Sequence, residues 1–199
     1  MKPSRRIVGM LALGALVVAT AGGVTWAAFT ATAVNSGDEI QSGTVKLDDN
    51  DNGSAVLALS AAEPGAADTG CIKVTFNGSL ASTVRLFGTT SGTGLDQYLD
   101  LKVTRGSYTP SDPGFDSCTN FQPDVTDYLG LGAGVVYEGT LQGYPDSYAA
   151  GIVDPLSGGP ESWTNGESHV YKLEVQLRHN LAAQGLNATQ QFTWEARNQ

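Results

Sequence analysis

Charged side chains are scarce in this sequence, making up 16% of its 199 residues against about 25% in a typical soluble domain. That scarcity excludes coiled coils and long charged helices. Positive charge is scarcer still, with 11 Lys and Arg against 20 Asp and Glu. Three of the basic residues, Lys2, Arg5 and Arg6, precede the first acid, so the rest of the chain has a net charge of −12. Such a surface repels nucleic acid, and we expect no nucleic-acid partner.

Recognisable catalytic motifs are also missing. The sequence has no H-E-x-x-H, no G-x-S-x-G and no Walker A loop. Its two histidines, His169 and His179, lie ten residues apart, about 33 Å along a straight strand. They cannot bind the same ion within one chain. We therefore predict no catalytic residue and no metal-binding residue, and the sequence leans against an enzyme.

Cysteine occurs only twice, as Cys71 and Cys118. An even pair in an exported chain usually forms a disulfide, and we predict that bond here. Two free buried thiols are the alternative that the sequence leaves open.

The first 28 residues have the parts of a secretory signal: a basic start, then an uncharged stretch from Ile7 to Ala28 that ends in small residues. An uncleaved membrane anchor is the alternative. Small-residue rules also favour a cut after the Ala31-Thr32-Ala33 motif, so they leave the cleavage position open. Export predicts a secreted protein, extracellular or at the cell surface.

The rest of the chain alternates between apolar and polar residues, which is typical of strands with one buried face. The clearest case places Tyr171, Leu173, Val175 and Leu177 on one side. Similar strands follow around Ile72, Leu101 and Trp194, and weaker ones at 43–48, 55–60, 81–87 and 135–142. We predict an all-β fold over 43–199: two antiparallel sheets packed as a jelly-roll-like β-sandwich of about eight strands. One short helix is expected in a long loop, around Asp146 to Ile152.

Two motifs suggest weak binding sites. Asp48, Asn50, Asn52 and Gly53 reproduce the first half of a calcium loop, but Leu59 stands where its bidentate Glu should be. A hairpin turn at Asn52-Gly53 explains the same residues without a cation. A second possibility is a sugar-binding surface formed by three loop aromatics, Tyr144, Tyr148 and Trp163. No cofactor is expected beyond weakly bound Ca²⁺.

Several segments resemble the TasA/camelysin family of exported bacterial proteins. They are Gly22-Gly23-Val24-Thr25-Trp26-Ala27-Ala28-Phe29, Ser42-Gly43-Thr44-Val45-Lys46-Leu47 and the closing stretch from Gln184 to Ala196. The resemblance implies a cut between Ala28 and Phe29 by a SipW-type signal peptidase. It also implies a jelly-roll subunit of extracellular fibres with a mobile N-terminal segment, here residues 29–42. The camelysin branch is described as metallopeptidases, an activity for which this sequence has no matching motif.

The segment that starts at the implied cut has a strand pattern. Phe29, Ala31 and Ala33 alternate with Thr30 and Thr32. Such a strand can add to the sheet of a neighbouring subunit or fold back on its own, and the sequence leaves both open. We expect a structural protein of the cell surface or extracellular biofilm matrix that associates with itself or with other matrix proteins by strand donation. The alternatives are a camelysin-type metallopeptidase and a carbohydrate- or calcium-binding wall module.

Overall fold

The computed structural model describes residues 26–35, 45–60, 63–156, 159–160 and 162–198. Within these ranges the chain forms fourteen strands: β1 (Trp26–Asn35), β2 (Leu47–Asp49), β3 (Ala55–Ser60), β4 (Ala67–Phe76), β5 (Ser82–Gly92), β6 (Leu99–Tyr108), β7 (Phe121–Pro123), β8 (Val135–Thr140), β9 (Ile152–Val153), β10 (Pro155–Leu156), β11 (Gly159–Pro160), β12 (Ser162–Trp163), β13 (Ser168–Leu177) and β14 (Ala188–Asn198). Short 3-10 helices lie at Leu95–Tyr98, Leu141–Gly143 and Leu181–Ala183. No helix in the described ranges is long and apolar enough to cross a membrane.

The strands form two main sheets. Sheet A has the order β12-β5-β14-β1-β3, with β9 also paired to β5. Sheet B has the order β2-β4-β13-β6-β7, with β8 also paired to β6. Strands β10 and β11 form a separate two-stranded ladder. Except for β1 with β14, all the described strand pairs are antiparallel. The predicted all-β sandwich is confirmed.

The strand order is that of a jelly roll with one strand added. The long strands alternate between the sheets in the order β3, β4, β5 and β6, and β8 then stays in sheet B. The short strands β9 and β12 return to sheet A, β13 to sheet B and β14 to sheet A. With β1 set aside, sheet A has the order β3-β14-β5-β9/β12 and sheet B the order β4-β13-β6-β8, as in a jelly roll. Strand β1 separates β3 from β14.

The core lies between the sheets and is built by the alternating residues. Tyr171, Leu173 and Val175 of β13 are buried, whereas Gln176 is exposed and Lys172 is half-buried. The alternating apolar residues of β4, β6 and β14 face the same interior, namely Ile72, Val74, Phe76, Leu99, Leu101, Val103, Phe192, Trp194 and Ala196. Burial of two apolar sheet faces against each other is the main stabilising contribution of such a sandwich.

The helix predicted around 146–152 is wrong in position. The short 3-10 helix lies just before it, at Leu141–Gly143, and residues 147–151 form bends and a turn. This segment folds over the outer face of sheet A, where its carbonyls find partners outside the segment. The Arg85 guanidinium donates to the backbone carbonyls of Tyr148 and Ala149, at 3.1 and 2.9 Å. The backbone N–H of Gly88 donates to the carbonyl of Pro145. Within the segment, the N–H of Gly151 donates to the carbonyl of Tyr148 at 3.1 Å, which closes a single turn and does not continue as a helix.

The turn at Asn52-Gly53 forms as predicted, but it does not close a hairpin. Both residues have left-handed backbones, with φ of 51° and 79°, and the N–H of Ser54 donates to the carbonyl of Asp51. The flanking strands pair with different neighbours, β2 with β4 in sheet B and β3 with β1 in sheet A. The turn therefore carries the chain from one sheet to the other.

Cys71 and Cys118 form a disulfide, which confirms the predicted pairing. The bond joins β4 to the long loop after β6, and Cys71 is fully buried beneath that loop. Two backbone hydrogen bonds between Cys71 and Asp116, at 3.1 and 3.3 Å, hold the same contact. The loop is thus fixed against the outer face of sheet B.

We expect the Cys118→Ser variant to lose about 4 kcal/mol of unfolding free energy, because the bond closes a loop across 47 residues of sequence in the unfolded chain. Chemical denaturation measures the loss. The reduced wild-type chain and the Cys71→Ser/Cys118→Ser double variant should match it. Thiol labelling under denaturing, non-reducing conditions should find no free cysteine, and quantitative labelling of both would contradict the bond.

Candidate functional site

The added strand β1 occupies a position that we call the β1 slot, defined by the facing edges of β3 and β14. Nine residues of β1 pair in parallel with β14, from Ala27 with Ala188 to Asn35 with Ala196. Five pair antiparallel with β3, beginning with Trp26 and Ser60. The pairing with β3 shifts register after Phe29, and beyond residue 30 β1 pairs with β14 alone.

An empty β1 slot would leave two sheet edges unpaired. Backbone N–H and C=O groups that are buried without partners are strongly unfavourable. The residues of β3 and β14 on either side are largely buried, among them Leu57, Phe192 and Trp194. A strand that fills the slot therefore stabilises the sandwich by pairing with both edges. The slot is the described feature best suited to binding an extended segment.

The predicted donor residues all lie within the strand that fills this slot. Phe29 pairs with Gln190 of β14 and Leu57 of β3, while Ala31 and Ala33 pair with Phe192 and Trp194. The implied cleavage point, between Ala28 and Phe29, falls inside β1. The remainder of the expected mobile segment, residues 36–42, and most of the signal region, residues 1–25, lie outside the described residues.

A second feature is a buried charged cluster centred on Arg105 of β6, whose side chain is 5% exposed. Its guanidinium makes an ion pair with Asp124, which follows β7. The Nε atom of Arg105 lies 2.6 Å from Oδ1 of Asp154, which precedes β10 and is 1% exposed. Trp163 of β12 donates its indole N–H to Asp154 at 2.5 Å, and Tyr128 donates its hydroxyl to Asp124 at 2.8 Å. The cluster connects both sheets at one end of the sandwich.

His169, at the start of β13, completes this cluster. Its Nε2 atom lies 2.8 Å from Nη2 of Arg105 and 3.0 Å from Oε1 of Glu167. Its ring meets that of Trp163 edge-on, with centroids 4.5 Å apart. Burial, and then the charge of Arg105, lower the pKa of His169, with Glu167 acting in the opposite direction. A neutral His169 accepts a hydrogen bond from Arg105, whereas a protonated His169 donates to Glu167.

Burial alone would lower the pKa of Arg105, but the carboxylates of Asp154 and Asp124 outweigh it and raise the pKa. The cation and its carboxylates are shielded from solvent and bonded to one another. This arrangement suits a structural tie between sheets more than a substrate site.

The sequence draws attention to His169 and Trp163 for other reasons, and it does not point to Arg105, Asp124 or Asp154 as members of a cluster. The alternation of the strands does contain one indication of this cluster. Arg105 continues the inward-facing series Leu99, Leu101 and Val103, so a charge stands where the alternation predicts an apolar residue. His169 is likewise a polar residue at an inward-facing position of β13, two residues before Tyr171. The two carboxylates come from loops, where alternation gives no information.

The residues of the predicted cation loop do not converge. The Asp48 carboxylate accepts from Lys46 Nζ and Asn77 Nδ2, at 2.9 and 2.8 Å. These two hydrogen bonds lower its pKa. Asn50 accepts from the backbone N–H of Lys73, and Asn52 is exposed. Across the described ranges, no group of three or more His, Cys, Asp and Glu is placed to hold a metal ion.

The three aromatics considered for sugar binding do not form a common surface. Trp163 is fully buried in the Arg105 cluster, and Tyr144 is 7% exposed and packs edge-on against Phe192. Only Tyr148 lies nearer the surface, where Arg197 stacks on its ring at 3.8 Å. The predicted aromatic platform is wrong, because two of its rings belong to the interior.

Comparison with known proteins adds no relative: no family model matches the chain, and no curated protein is significantly similar to it. Function is therefore inferred from the geometry of the chain itself.

The Arg105 cluster predicts a pH dependence of stability. The pKa of His169 is lowered in the folded chain, so below about pH 6.5 the unfolded chain binds the proton first. The contribution of His169 to the free energy of unfolding should therefore fall as the pH falls through that value, until its folded-state pKa is reached. Glu167, Asp154 and Asp124 face the ring and limit the effect without reversing it.

Urea unfolding between pH 7.5 and 5.5 measures this dependence. Relative to the His169→Gln variant, the wild-type chain should lose stability as the pH falls, because the contribution of Asp51 is common to both chains. His179, exposed beyond the opposite end of β13, provides the matched control, and His179→Gln should keep the wild-type slope. Equal slopes for all three chains would show that His169 does not titrate as described.

Proposed function

We propose that this chain is a secreted structural protein of the cell surface or extracellular matrix, which assembles with copies of itself, or with other matrix proteins, by donating strand β1. The observation that supports this proposal most directly is the position of β1. It is an extra strand inserted between β3 and β14, the two strands that would otherwise be neighbours in the jelly roll. The resemblance to TasA/camelysin proteins supports the same role.

Transfer between subunits requires a connection long enough to reach the next slot. Nine residues, 36–44, separate β1 from Val45, and nine residues span at most about 30 Å. In the proposed filament, β1 fills the slot of an adjacent subunit while remaining attached to its own. Transfer from one subunit to the next is a head-to-tail contact, and such contacts form filaments when they do not close into a ring.

The balance between monomer and filament depends on whether β1 pairs within its own subunit or in a neighbouring one. A donated β1 makes the same pairs in its neighbour as in its own subunit. The difference in free energy thus comes from the connection, the protein concentration and any contact between subunits. Assembly should therefore depend steeply on concentration, and its rate should depend on how readily β1 leaves its own slot.

A cut between Ala28 and Phe29, as the resemblance to TasA/camelysin proteins implies, would ease that departure. It removes the β1 residues that make three of the five pairs with β3, and leaves those of Phe29 and Thr30. Seven of the nine pairs with β14 remain. The processed strand is then held mainly on one side. Processing by a signal peptidase would in this way couple export to assembly.

We expect the chain beginning at Phe29 to form filaments at high concentration, and a variant lacking 29–35 to fold but remain monomeric. Negative-stain microscopy and light scattering over time measure the difference.

A synthetic peptide of residues 29–35 should raise the melting temperature of the truncated variant by filling its slot. The same peptide with Ala31→Pro and Thr32→Pro is the matched control, because proline removes backbone donors and should abolish the effect.

A reversible lock tests transfer itself. Thr30 and Ala55 are paired residues of β1 and β3, so Thr30→Cys/Ala55→Cys should tie β1 to its own subunit. The oxidised variant should stay monomeric, whereas the variant with this bond reduced should assemble. Filaments from the locked chain, or identical monomers from the truncated and mature chains at high concentration, would refute strand donation.

A further inference from the structure

The turn between β2 and β3 brings two carboxylates together. Asp49 is the last residue of β2, and its Oδ1 atom accepts from the backbone N–H of Asp51 at 3.3 Å. The Oδ1 atom of Asp51 accepts from the backbone N–H of Gly53 at 2.6 Å. The carboxylate of Asp49 lies beside that of Asp51, and the two negative charges oppose each other.

Asp51 is buried to an extent unusual for a carboxylate. It is 4% exposed, and its Oδ2 atom has no hydrogen-bond donor among the described residues. The side-chain amide nitrogen of the neighbouring Asn50 is also buried without a described acceptor. A buried charge is strongly unfavourable unless an opposite charge or hydrogen bonds compensate it. The turn thus contains two neighbouring carboxylates and a buried carboxylate oxygen without a hydrogen-bond donor among the described residues.

One proton neutralises only one negative charge of this pair. Burial and the neighbouring Asp49 together raise the pKa of Asp51 to about 6, against the opposing hydrogen bond from Gly53. A single proton shared between the two carboxylates leaves one negative charge in the turn.

We propose that Asp49 and Asp51 bind a hard divalent cation of the Ca²⁺ class in this turn. Oxygen is the donor atom of both side chains, and calcium accepts carboxylate, carbonyl and water oxygens in flexible geometries. Magnesium requires stricter octahedral geometry and keeps more of its water, so we expect it to bind less tightly. The remaining ligands would be backbone carbonyls of the turn and water.

This site differs from the loop suggested by the D-x-N-x-N-G motif. That motif assigns Asp48, whose carboxylate is held by Lys46 and Asn77. The proposed ligands are shifted by one residue, to Asp49 and Asp51. Asp48 is therefore a matched control, because it is an aspartate in the same segment whose charge is already compensated.

The experiment uses the mature chain, freed of metal with a chelator and titrated with CaCl₂ at constant ionic strength. Calorimetry measures binding, and thermal unfolding measures stability. Calcium at well above its dissociation constant should raise the melting temperature of the wild-type chain by about 5 °C, with a smaller rise in MgCl₂. Asp51→Asn should lose this response and, without calcium, should melt at a higher temperature than the wild-type chain. Asp48→Asn should retain the wild-type response.

Two results would overturn the proposal. One is a wild-type chain that does not respond to calcium while Asp51→Asn is stabilised, which would show a carboxyl pair compensated by protons alone. The other is loss of the response in Asp48→Asn as well as Asp51→Asn, which would show diffuse binding by the acidic surface. Filament formation is not measured here, so the outcome is independent of strand donation.

Discussion

The need to pair the facing edges of β3 and β14 is the constraint on which the rest of this structure depends. A jelly roll would bring these strands together directly. Here they lie apart, and β1 supplies the backbone partners that each would otherwise lack. Because the side chains on both flanking strands belong to the core, the interior of the sandwich and the occupancy of the slot are energetically coupled. A segment near the N-terminus thereby stabilises a fold that is formed mostly by residues far along the chain.

The Arg105 cluster stabilises a region of the fold in which few strands pair. Short strands β9 and β12 carry the chain back to sheet A and have few ladder bonds of their own. Asp154 and Trp163, which lie on either side of β10 and β11, are both bonded into the cluster. Charged and aromatic contacts thus secure a region in which regular pairing is sparse. The disulfide does the same for the long loop on the outer face of sheet B.

Alternation in the sequence predicts the strands of the core well, since one-sided burial leaves a signal within a few consecutive residues. It locates β13 and the inward faces of β4, β6 and β14. It cannot locate the β1 slot, because Ala27 and Ala188 are remote in sequence and the strand pattern of residues 29–33 suits any free edge. The helix expected near Asp146 does not form, and carbonyls of that segment accept instead from Arg85 and Gly88, which lie in another part of the chain. The turn at Asn52-Gly53 forms as predicted because the two residues that specify it are adjacent in the sequence.

The position of β1 between β3 and β14 has a consequence for any polymer built by strand donation. Each subunit would donate one strand and accept one, so every subunit would face the same way along the filament and the two ends would be chemically different. One end would offer an empty slot and the other an undonated strand. A short peptide could cap the first end, and a chain that lacks β1 could cap the second. Filament length would then respond to very small amounts of either cap.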